Sequence, residues 1–383
     1  MRFAEALRQP GLSVVAEVKR RSPSAGDLRP DADPAALAAA FERAGASAVS
    51  ILVDERFGGS TDDLRAARAA SGLPLLAKGF FSTPAELEDL RDAGADAVLL
   101  LLRDLDDQST MEMMQSARAL GINALVEAHD ADELQRAVDL GADPIGINAR
   151  DLLTFRIDRA AQLELVAKAS EDRLVVAESG IASRAQGAAA ELAGADAILI
   201  GSTLMRAADP AAKLSELASR PLVKVCGLTR AEDVAVAAEA GADMAGFILA
   251  EESPRRAADL LPVPETMLSV AVHVDEYDQR GADLVQLYER EDGHRARDAV
   301  LLRKGEAVAR VLDLPWEEQD PAHLDRAREV EGRLMLAGRL GPDNVRAAID
   351  AVEPWAVDAA SRLEVAPGIK DHDKVRAYVE AAR

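Results

Sequence analysis

The chain of 383 residues contains a single cysteine, Cys226, which excludes an intrachain disulfide and is typical of a protein of the reducing cytoplasm. It also lacks an uninterrupted apolar run of about 18 residues, so no membrane span is expected. Basic residues are outnumbered, 45 against 67 acidic ones, and the formal net charge is −22. This surplus argues against nucleic acid or an anionic membrane as a partner, although a small anionic substrate stays compatible with a locally basic site. No histidine cluster or Cys–His spacing suggests a metal site, so neither a metal nor another cofactor is expected.

Hydrophobic residues make up 49% of the chain, which is enough for a large core, and the length suits two domains. In the first half, Ala- or Leu-rich helical stretches end at a glycine and are followed by a short apolar strand. The pattern recurs at AGASAVSIL (44–52), AGADAVLLL (93–101), LGADPIGIN (140–148) and AGADAILIG (193–201). Further strands are predicted at residues 14–19, 73–78, 124–128 and 174–177. Eight strands that alternate with helices predict parallel pairing in a (βα)8 TIM barrel.

Polar residues follow nearly every one of these strands. In VVAEVKRRSPSAG (14–26), an apolar strand carries Glu17 and Lys19 on one face, and Ser22-Pro23 ends it. Ligands bind at the carboxyl ends of parallel strands, so these charges are expected to line an active site. The other strand ends carry Asp54, Glu55, Lys78, Arg103, Glu127, Asn148, Arg150, Glu178, Ser179, Gly201 and Ser202. The competing interpretations are an internal ion pair without chemistry and, for part of the pattern, solvated loop residues.

These residue types suit acid–base chemistry on a phosphorylated substrate. A lysine flanked by carboxylates can act as a general acid or an anion clamp. The loops ESGIAS (178–183) and LIGST (199–203) follow strands seven and eight, where backbone N–H groups can bind phosphate, although each loop alone is also compatible with a simple turn. His129 follows Glu127, and a lone histidine of this kind is more often structural.

The second half restarts at LVKVCGLTR (222–230) and repeats the pattern. Strands are predicted within AGADMAGFIL (240–249) and GADLVQLY (281–288) and at residues 268–274, 299–302, 308–312, 334–337 and 356–359. Its 165 residues are fewer than the roughly 200 of a minimal TIM barrel, and no helix fits between Leu302 and Val308. The fold prediction is therefore α/β, with two TIM barrels in tandem, the second shortened or irregular. The predicted domains are residues 1–218 and 219–383.

The motifs AEVKRRSPSAG, LVEAHD, GINARDL, AESGI and IGSTLMR, in this order over about residues 3–210, resemble those of indole-3-glycerol phosphate synthase. The resemblance implies a role in tryptophan biosynthesis: ring closure of 1-(o-carboxyphenylamino)-1-deoxyribulose 5-phosphate with loss of CO2 and water. It also implies small phosphorylated, anthranilate-derived substrates as the partners. The oligomeric state is left open, and a monomer is compatible with the sequence.

The same resemblance implies roles for individual residues. Lys78 would be the general acid at the ketone, Glu127 would transfer a proton during dehydration, and Lys19 with Glu17 would lie near the substrate carboxylate and reacting hydroxyl. Asn148, Arg150 and Glu178 would complete the polar shell, with Arg150 near the carboxylate. Contacts to phosphate or substrate would come from Ser22, Ser179, Gly180, Gly201 and Ser202. One departure is Gly79, where the family usually has an aspartate after the lysine.

The second half, about residues 221–383, resembles phosphoribosylanthranilate isomerase, the preceding enzyme of the pathway. The likeness is carried by VKVCGLTRAED, GFILAEESPR, LVQLY, LAGRLGPDNV and AVDAASRLEVAPGIKD. It implies that Cys226 is the general base and Asp313 the general acid of an Amadori rearrangement, with Arg255 and Asp358 contacting the substrate. A buried inert cysteine is the competing interpretation of Cys226.

This second resemblance has departures at the phosphate loops. DLPWEEQD (313–320) replaces a glycine-rich loop, and the positions of three further family glycines are occupied by Glu289, Arg339 and Arg362. A side chain there blocks the close approach of backbone to phosphate, although Arg339 or Arg362 could bind phosphate directly. Isomerase activity is therefore left open beside two alternatives: a synthase with a catalytically dead second barrel, and a non-catalytic binding or scaffold protein.

Overall fold

The computed structural model describes residues 2–23, 25–151, 154–169, 172–292, 294–313 and 321–383. The chain divides into two compact units, one of Met1–Ala182 and Gly187–Ala218, the other of Ser183–Gln186 and Ser219–Arg383. Each unit contains a closed barrel of eight strands. In the described part of the chain, every helix is too short or too polar to cross a membrane.

The first barrel is entirely parallel, with the strand order β1-β10-β9-β8-β7-β6-β5-β4, which confirms the predicted TIM barrel. Its strands and a small hairpin are β1 (Ser13–Val18), β2 (Arg21–Ser22), β3 (Gly26–Asp27), β4 (Ala48–Leu52), β5 (Leu75–Lys78), β6 (Ala97–Leu101), β7 (Asn123–Ala128), β8 (Ile145–Asn148), β9 (Val175–Glu178) and β10 (Ala197–Ile200). The helices are α1 (Arg2–Leu7), α2 (Pro34–Arg43), α3 (Thr61–Ala70), α4 (Pro84–Asp92), α5 (Asp107–Ala119), α6 (Ala131–Asp139), α7 (Arg159–Lys168), α8 (Arg184–Ala193), α9 (Ser202–Arg206) and α10 (Pro210–Ala218).

Alternate residues of each strand point to opposite sides of the barrel wall, and this alternation sets the position of the charged side chains. Val15 of β1 and Leu76 of β5 belong to an apolar cluster inside the barrel, while their neighbours along each strand pack outward against the helices. Glu17 and Lys78 follow two residues later on the same strands, so they continue the inner face towards its carboxyl end. The apolar cluster also includes Phe3 of α1, which is fully buried.

The second unit is a barrel of mixed direction. Its strands, with a small hairpin, are β11 (Leu222–Cys226), β12 (Met244–Ile248), β13 (Leu268–Val274), β14 (Leu284–Glu291), β15 (His294–Arg303), β16 (Glu306–Asp313), β17 (Leu334–Ala337), β18 (Ala356–Ala359), β19 (Glu364–Ala366) and β20 (Ile369–Lys370). Its helices are α11 (Ala231–Ala240), α12 (Pro321–Arg328), α13 (Val345–Val352) and α14 (His372–Ala382).

Strand β15 runs against the other seven strands of this barrel, because it pairs antiparallel with both β14 and β16. The connection from β15 to β16 is the two-residue turn Lys304-Gly305, whose φ angles are 51° and 88°. Positive φ at both central residues is the geometry of a type I′ hairpin, which Gly at the second position favours. The irregularity predicted from the short interval between Leu302 and Val308 is confirmed. The reversal of a whole strand was not anticipated.

Candidate active site

Four charged side chains meet inside the first barrel at its carboxyl end. Glu17, Lys78, Glu127 and Glu178 lie on β1, β5, β7 and β9, and each is at most 8% exposed. These strands alternate around the barrel, and alternate strands contribute side chains to one interior layer. The layer therefore places one ammonium group among three carboxylates.

Lys78 is the centre of this layer. Its Nζ lies 3.4 Å from Glu127 Oε2 and 3.8 Å from Glu17 Oε2, and it donates a hydrogen bond to Glu178 Oε2. Burial alone would lower the pKa of Lys78, but the carboxylates of Glu178, Glu127 and Glu17 outweigh it and raise that pKa above its ordinary value. The site thus keeps its lysine protonated over the physiological range.

The three carboxylates differ in their protonation. Burial raises the pKa of Glu178 to about 8, although Lys78 opposes the shift. Burial acts on Glu17 in the same direction, but Lys19, with its Nζ 2.5 Å from Glu17 Oε1, and Lys78 bring the net pKa below its usual value. The pKa of Glu127 is also lowered, because Lys78 and hydrogen-bond donors around it outweigh its burial. One carboxyl that holds a proton at neutral pH beside two that do not is an arrangement suited to proton transfer.

Asn148 and Arg150 extend the layer from the end of β8. Asn148 Nδ2 donates to Glu127 Oε1 at 3.0 Å, and Asn148 Oδ1 accepts from the backbone N–H of Arg150 at 3.0 Å. Arg150 is partly buried, and this burial lowers the pKa of its guanidinium. Six of the residues predicted for catalysis therefore form one connected cluster: Glu17, Lys19, Lys78, Glu127, Asn148 and Glu178.

The predicted phosphate loops lie side by side. After β9, Ser179 and Gly180 have φ angles of 68° and 71°, and after β10, Gly201 precedes Ser202, the first residue of α9. Thr203 Oγ1 donates to the carbonyl of Ile181 at 2.6 Å and so ties the two loops together. Ser22 of the β2–β3 hairpin is buried.

At two glycines, a neighbouring side chain lies too close to leave room for a Cβ atom. A Cβ on Gly201 would overlap Glu17 Oε1, so a side chain there is incompatible with the charged layer. A Cβ on Gly79 would lie 2.7 Å from the Phe81 ring. In this structure the Phe81 ring occupies the space next to residue 79, so a side chain at this position requires that ring to move.

His129 belongs to the cluster, although its sequence context indicated a structural residue. Its Nε2 lies 3.1 Å from Glu127 Oε1, and its Nδ1 lies 3.0 Å from Glu133 Oε2 on α6. The signal available in the sequence was the spacing: in extended chain, a residue two positions after Glu127 lies on the same side.

The second barrel holds a separate polar cluster. Lys224 is fully buried on β11, and its Nζ donates to Gln286 Oε1 at 2.7 Å and to Asp358 Oδ2 at 2.9 Å. Cys226 ends the same strand, and burial raises the pKa of its thiol. Gln286 Nε2 donates in turn to Tyr288 Oη at 2.7 Å.

The reversed strand contributes to this cluster. Arg295 of β15 places its guanidinium 4.1 Å from the Tyr288 ring centre and donates to Asp313 Oδ2 at 2.8 Å. The predicted acid is therefore ion-paired with a residue that sequence reasoning did not single out. Arg255, the other predicted contact, donates to Glu364 Oε2 at 2.8 Å.

The structure describes only part of the second-barrel loops that lack the family's glycines. Residues 314–320 of DLPWEEQD lie outside the described residues. Arg362 donates to Asp343 Oδ2 at 2.7 Å. Within the described ranges, no group of three His, Cys, Asp or Glu side chains is placed to hold a metal ion.

Comparison with known proteins relates both halves to enzymes. The family model of indole-3-glycerol phosphate synthase matches residues 1–217, and that of N-(5'-phosphoribosyl)anthranilate isomerase matches residues 317–381. Indole-3-glycerol phosphate synthase 2 of Streptomyces coelicolor is 46% identical over 216 residues, which are 56% of this chain and 84% of that protein. The synthase of Mycobacterium ulcerans is 45% identical over 55% of this chain and 78% of its own length. Phosphoribosyl anthranilate isomerase of Thermotoga maritima is 25% identical with a TM-score of 0.33, over 43% of this chain and 98% of that structure.

Proposed function

The chain belongs to the indole-3-glycerol phosphate synthase family and carries an isomerase-like second domain, and we propose that residues 1–218 and 219–383 are its two functional domains. It is an enzyme of tryptophan biosynthesis that converts 1-(o-carboxyphenylamino)-1-deoxyribulose 5-phosphate to indole-3-glycerol phosphate. The observation that carries the assignment of the site is the Lys78 ammonium buried among three carboxylates at the carboxyl end of the first barrel.

In the first step, the ring carbon that bears the carboxylate attacks the ketone carbon. We propose that Lys78 gives its proton to the ketone oxygen as the new carbon–carbon bond forms. Departure of CO2 then returns an electron pair to the ring and restores its aromaticity. Glu178, whose pKa lies near 8, is placed to return a proton to Lys78.

In the second step, the hydroxyl formed from the ketone leaves as water. Lys19 is assigned as the acid that donates a proton to the leaving hydroxyl, and Glu17 orients Lys19 through their 2.5 Å contact. Glu127 is assigned as the base that removes the proton lost from the new five-membered ring, because its lowered pKa keeps it a carboxylate. Asn148 fixes one of its oxygens.

The anionic ends of the substrate are assigned to the rim of the barrel. The paired loops after β9 and β10 are assigned to bind the phosphate, through Ser179, Gly180, Gly201 and Ser202. Arg150, at the end of β8, is assigned the substrate carboxylate. Ser22 completes the proposed contacts from the hairpin that follows β1.

The division between the two steps is tested with Glu127→Gln, which keeps the shape of the side chain and removes the base. CO2 release from labelled substrate should continue at a larger fraction of the wild-type rate than the appearance of indole fluorescence. Glu216→Gln on the outer face of α10 is the matched control and should behave as wild type. Indole formation by Glu127→Gln at the wild-type rate would refute the assigned role.

A second candidate function is isomerisation of N-(5-phosphoribosyl)anthranilate by the second barrel. It is favoured by the positions of the residues matched to the family's base and acid. Cys226 is the last residue of β11 and Asp313 the last residue of β16, and both strands belong to one closed barrel. The Arg295–Asp313 pair favours the alternative, a catalytically dead barrel.

An isomerase assay on the preparation that is active as a synthase separates these two possibilities. Activity that disappears in Cys226→Ser establishes the isomerase. Absence of any Cys226-dependent activity establishes the inactive barrel. We also propose a cytoplasmic location, since the single cysteine suits a reducing compartment.

A further inference from the structure

We infer that His129 is a positioning residue of the synthase site: it holds one oxygen of Glu127, so that the other oxygen faces the substrate. The inference rests on the catalytic role proposed for Glu127. It adds to that role by naming the residue that acts through Glu127 and the carboxylate oxygen that reacts.

The imidazole ring is fixed by two carboxylates. Its Nε2 is 3.1 Å from Glu127 Oε1, and its Nδ1 is 3.0 Å from Glu133 Oε2. The same Glu133 oxygen also accepts the backbone N–H of His129 at 2.8 Å. Glu133 lies in the first turn of α6, so the helix anchors both the backbone and the ring of His129, and the ring carries that anchor to Glu127.

The charges around the ring favour an imidazolium. Burial would lower the pKa of His129, but contacts with Glu127 and Glu133 outweigh it and raise that pKa to about 10. Two cations face the same carboxylates: Lys78 from β5, and Arg103 after β6, which is bonded to Asp104 at 2.8 Å. His129 therefore lies between two carboxylates: Nδ1 is hydrogen-bonded to Glu133 Oε2, and Nε2 is in ion-pair contact with Glu127 Oε1.

The two oxygens of Glu127 have different surroundings as a result. Oε1 accepts from Asn148 Nδ2 at 3.0 Å and faces His129 Nε2. Oε2 is buried and has no hydrogen-bond partner among the described residues, with Lys78 Nζ 3.4 Å away. A carboxylate whose Oε1 is hydrogen-bonded to Asn148 and ion-paired with His129 can rotate little, so Oε2 is the oxygen left to accept the substrate proton. This geometry separates a holding oxygen from a reacting oxygen.

Steady-state kinetics of three variants test the inference. Displacement of a catalytic group by about 1 Å costs up to about 100-fold in rate, so His129→Ala should lower kcat by about 10- to 100-fold. KM should change by less than about 3-fold, because the interaction acts on the reaction rather than on binding. His129→Gln, which restores a donor near Glu127, should recover most of kcat. His372→Gln, which removes a 2.9 Å histidine–aspartate contact with Asp233 in the second unit, is the matched control.

A spectroscopic measurement keeps the test independent of turnover. The ring resonance of His129, identified by its loss in His129→Gln, should stay that of an imidazolium through pH 8. Titration near the ordinary histidine value of about 6.5 would overturn the inference. A parallel rise in KM, or a His129→Gln variant no better than His129→Ala, would also overturn it, because both indicate a merely structural role. If Glu127→Gln retains full synthesis, the catalytic role proposed for Glu127 fails, and this outcome is distinguishable because the titration of His129 is measured in the wild-type protein.

Discussion

Lys78→Met removes the ammonium of the charged layer and keeps the length of the side chain. Three carboxylates then face one another without the cation that lies within 3.8 Å of each in the wild-type site. A positioned general acid contributes roughly 10²- to 10⁴-fold to a rate, so kcat should fall at least about 100-fold. Removing one partner of a buried ion pair costs about 3–5 kcal/mol, which sets the expected loss of stability near pH 8.

The loss of stability should depend on pH with a definite sign. In the wild type, Lys78 contributes to the lowered pKa of Glu127 and opposes the raised pKa of Glu178. Without it, burial raises the pKa of Glu178 further above the unfolded value of about 4.3 and moves the pKa of Glu127 upwards from its lowered value. A carboxyl with a raised folded pKa keeps its full stability below the unfolded pKa and loses it as pH rises through the folded pKa. The deficit of Lys78→Met should therefore be small at pH 5 and largest near pH 8.

Urea unfolding at pH 5 and pH 8, followed by circular dichroism, measures this difference, and indole fluorescence measures turnover. Lys213→Met is the control. Lys213 lies on α10, and its ion pair in the described part of the chain is with the half-exposed Glu216, 3.0 Å away. Normal turnover by Lys78→Met would refute the assigned acid. An equal loss of stability at the two pH values would refute the charge argument.

Three further substitutions test the packing around the two barrels. Gly201→Ala forces a methyl group onto Glu17, so kcat/KM measured by steady-state kinetics should fall by about 100-fold. Gly79→Asp, which restores the family's residue, meets the Phe81 ring and should lower the free energy of unfolding by about 1–3 kcal/mol in a urea titration. Gly305→Val, in the turn that reverses β15, has a φ of 88° and should cost about 1–2 kcal/mol by the same measurement, and an unchanged midpoint would contradict the type I′ turn.

The first barrel could be predicted because its sequence repeats one unit with little variation. Glycine after each helical stretch marks the start of the next strand, and the two-residue alternation assigns Glu17, Lys78 and Glu127 to the inner face. The closed parallel barrel is confirmed. The layer of four charges follows from strand parity, because alternate strands share a layer.

The second barrel could be predicted only in part, because the hydrophobic pattern of a strand does not show whether it runs parallel or antiparallel to its neighbours. The reversal of β15 is encoded in the short connections at its ends, above all Lys304-Gly305, rather than in its hydrophobic pattern. The contact between Arg295 and Asp313 depends on that reversal, so sequence reasoning could not anticipate it. The strand motif does not identify His129 for a related reason: its second partner, Glu133, lies on the following helix, outside that motif.

The charge of the synthase site is balanced although the chain as a whole is strongly acidic. The inner charges are Glu17, Lys19, Lys78, Glu127, His129, Glu133 and Glu178. Because burial raises the pKa of Glu178 to about 8, this carboxyl is protonated at neutral pH, and three negative groups then face three positive groups. A substrate that carries both a carboxylate and a phosphate thus meets a balanced inner layer with Arg150 at its edge, rather than the repulsion that a net charge of −22 would suggest. The raised pKa of Glu178 therefore serves binding as well as proton transfer, and it depends on the burial of this carboxyl, since Lys78 shifts the pKa in the opposite direction.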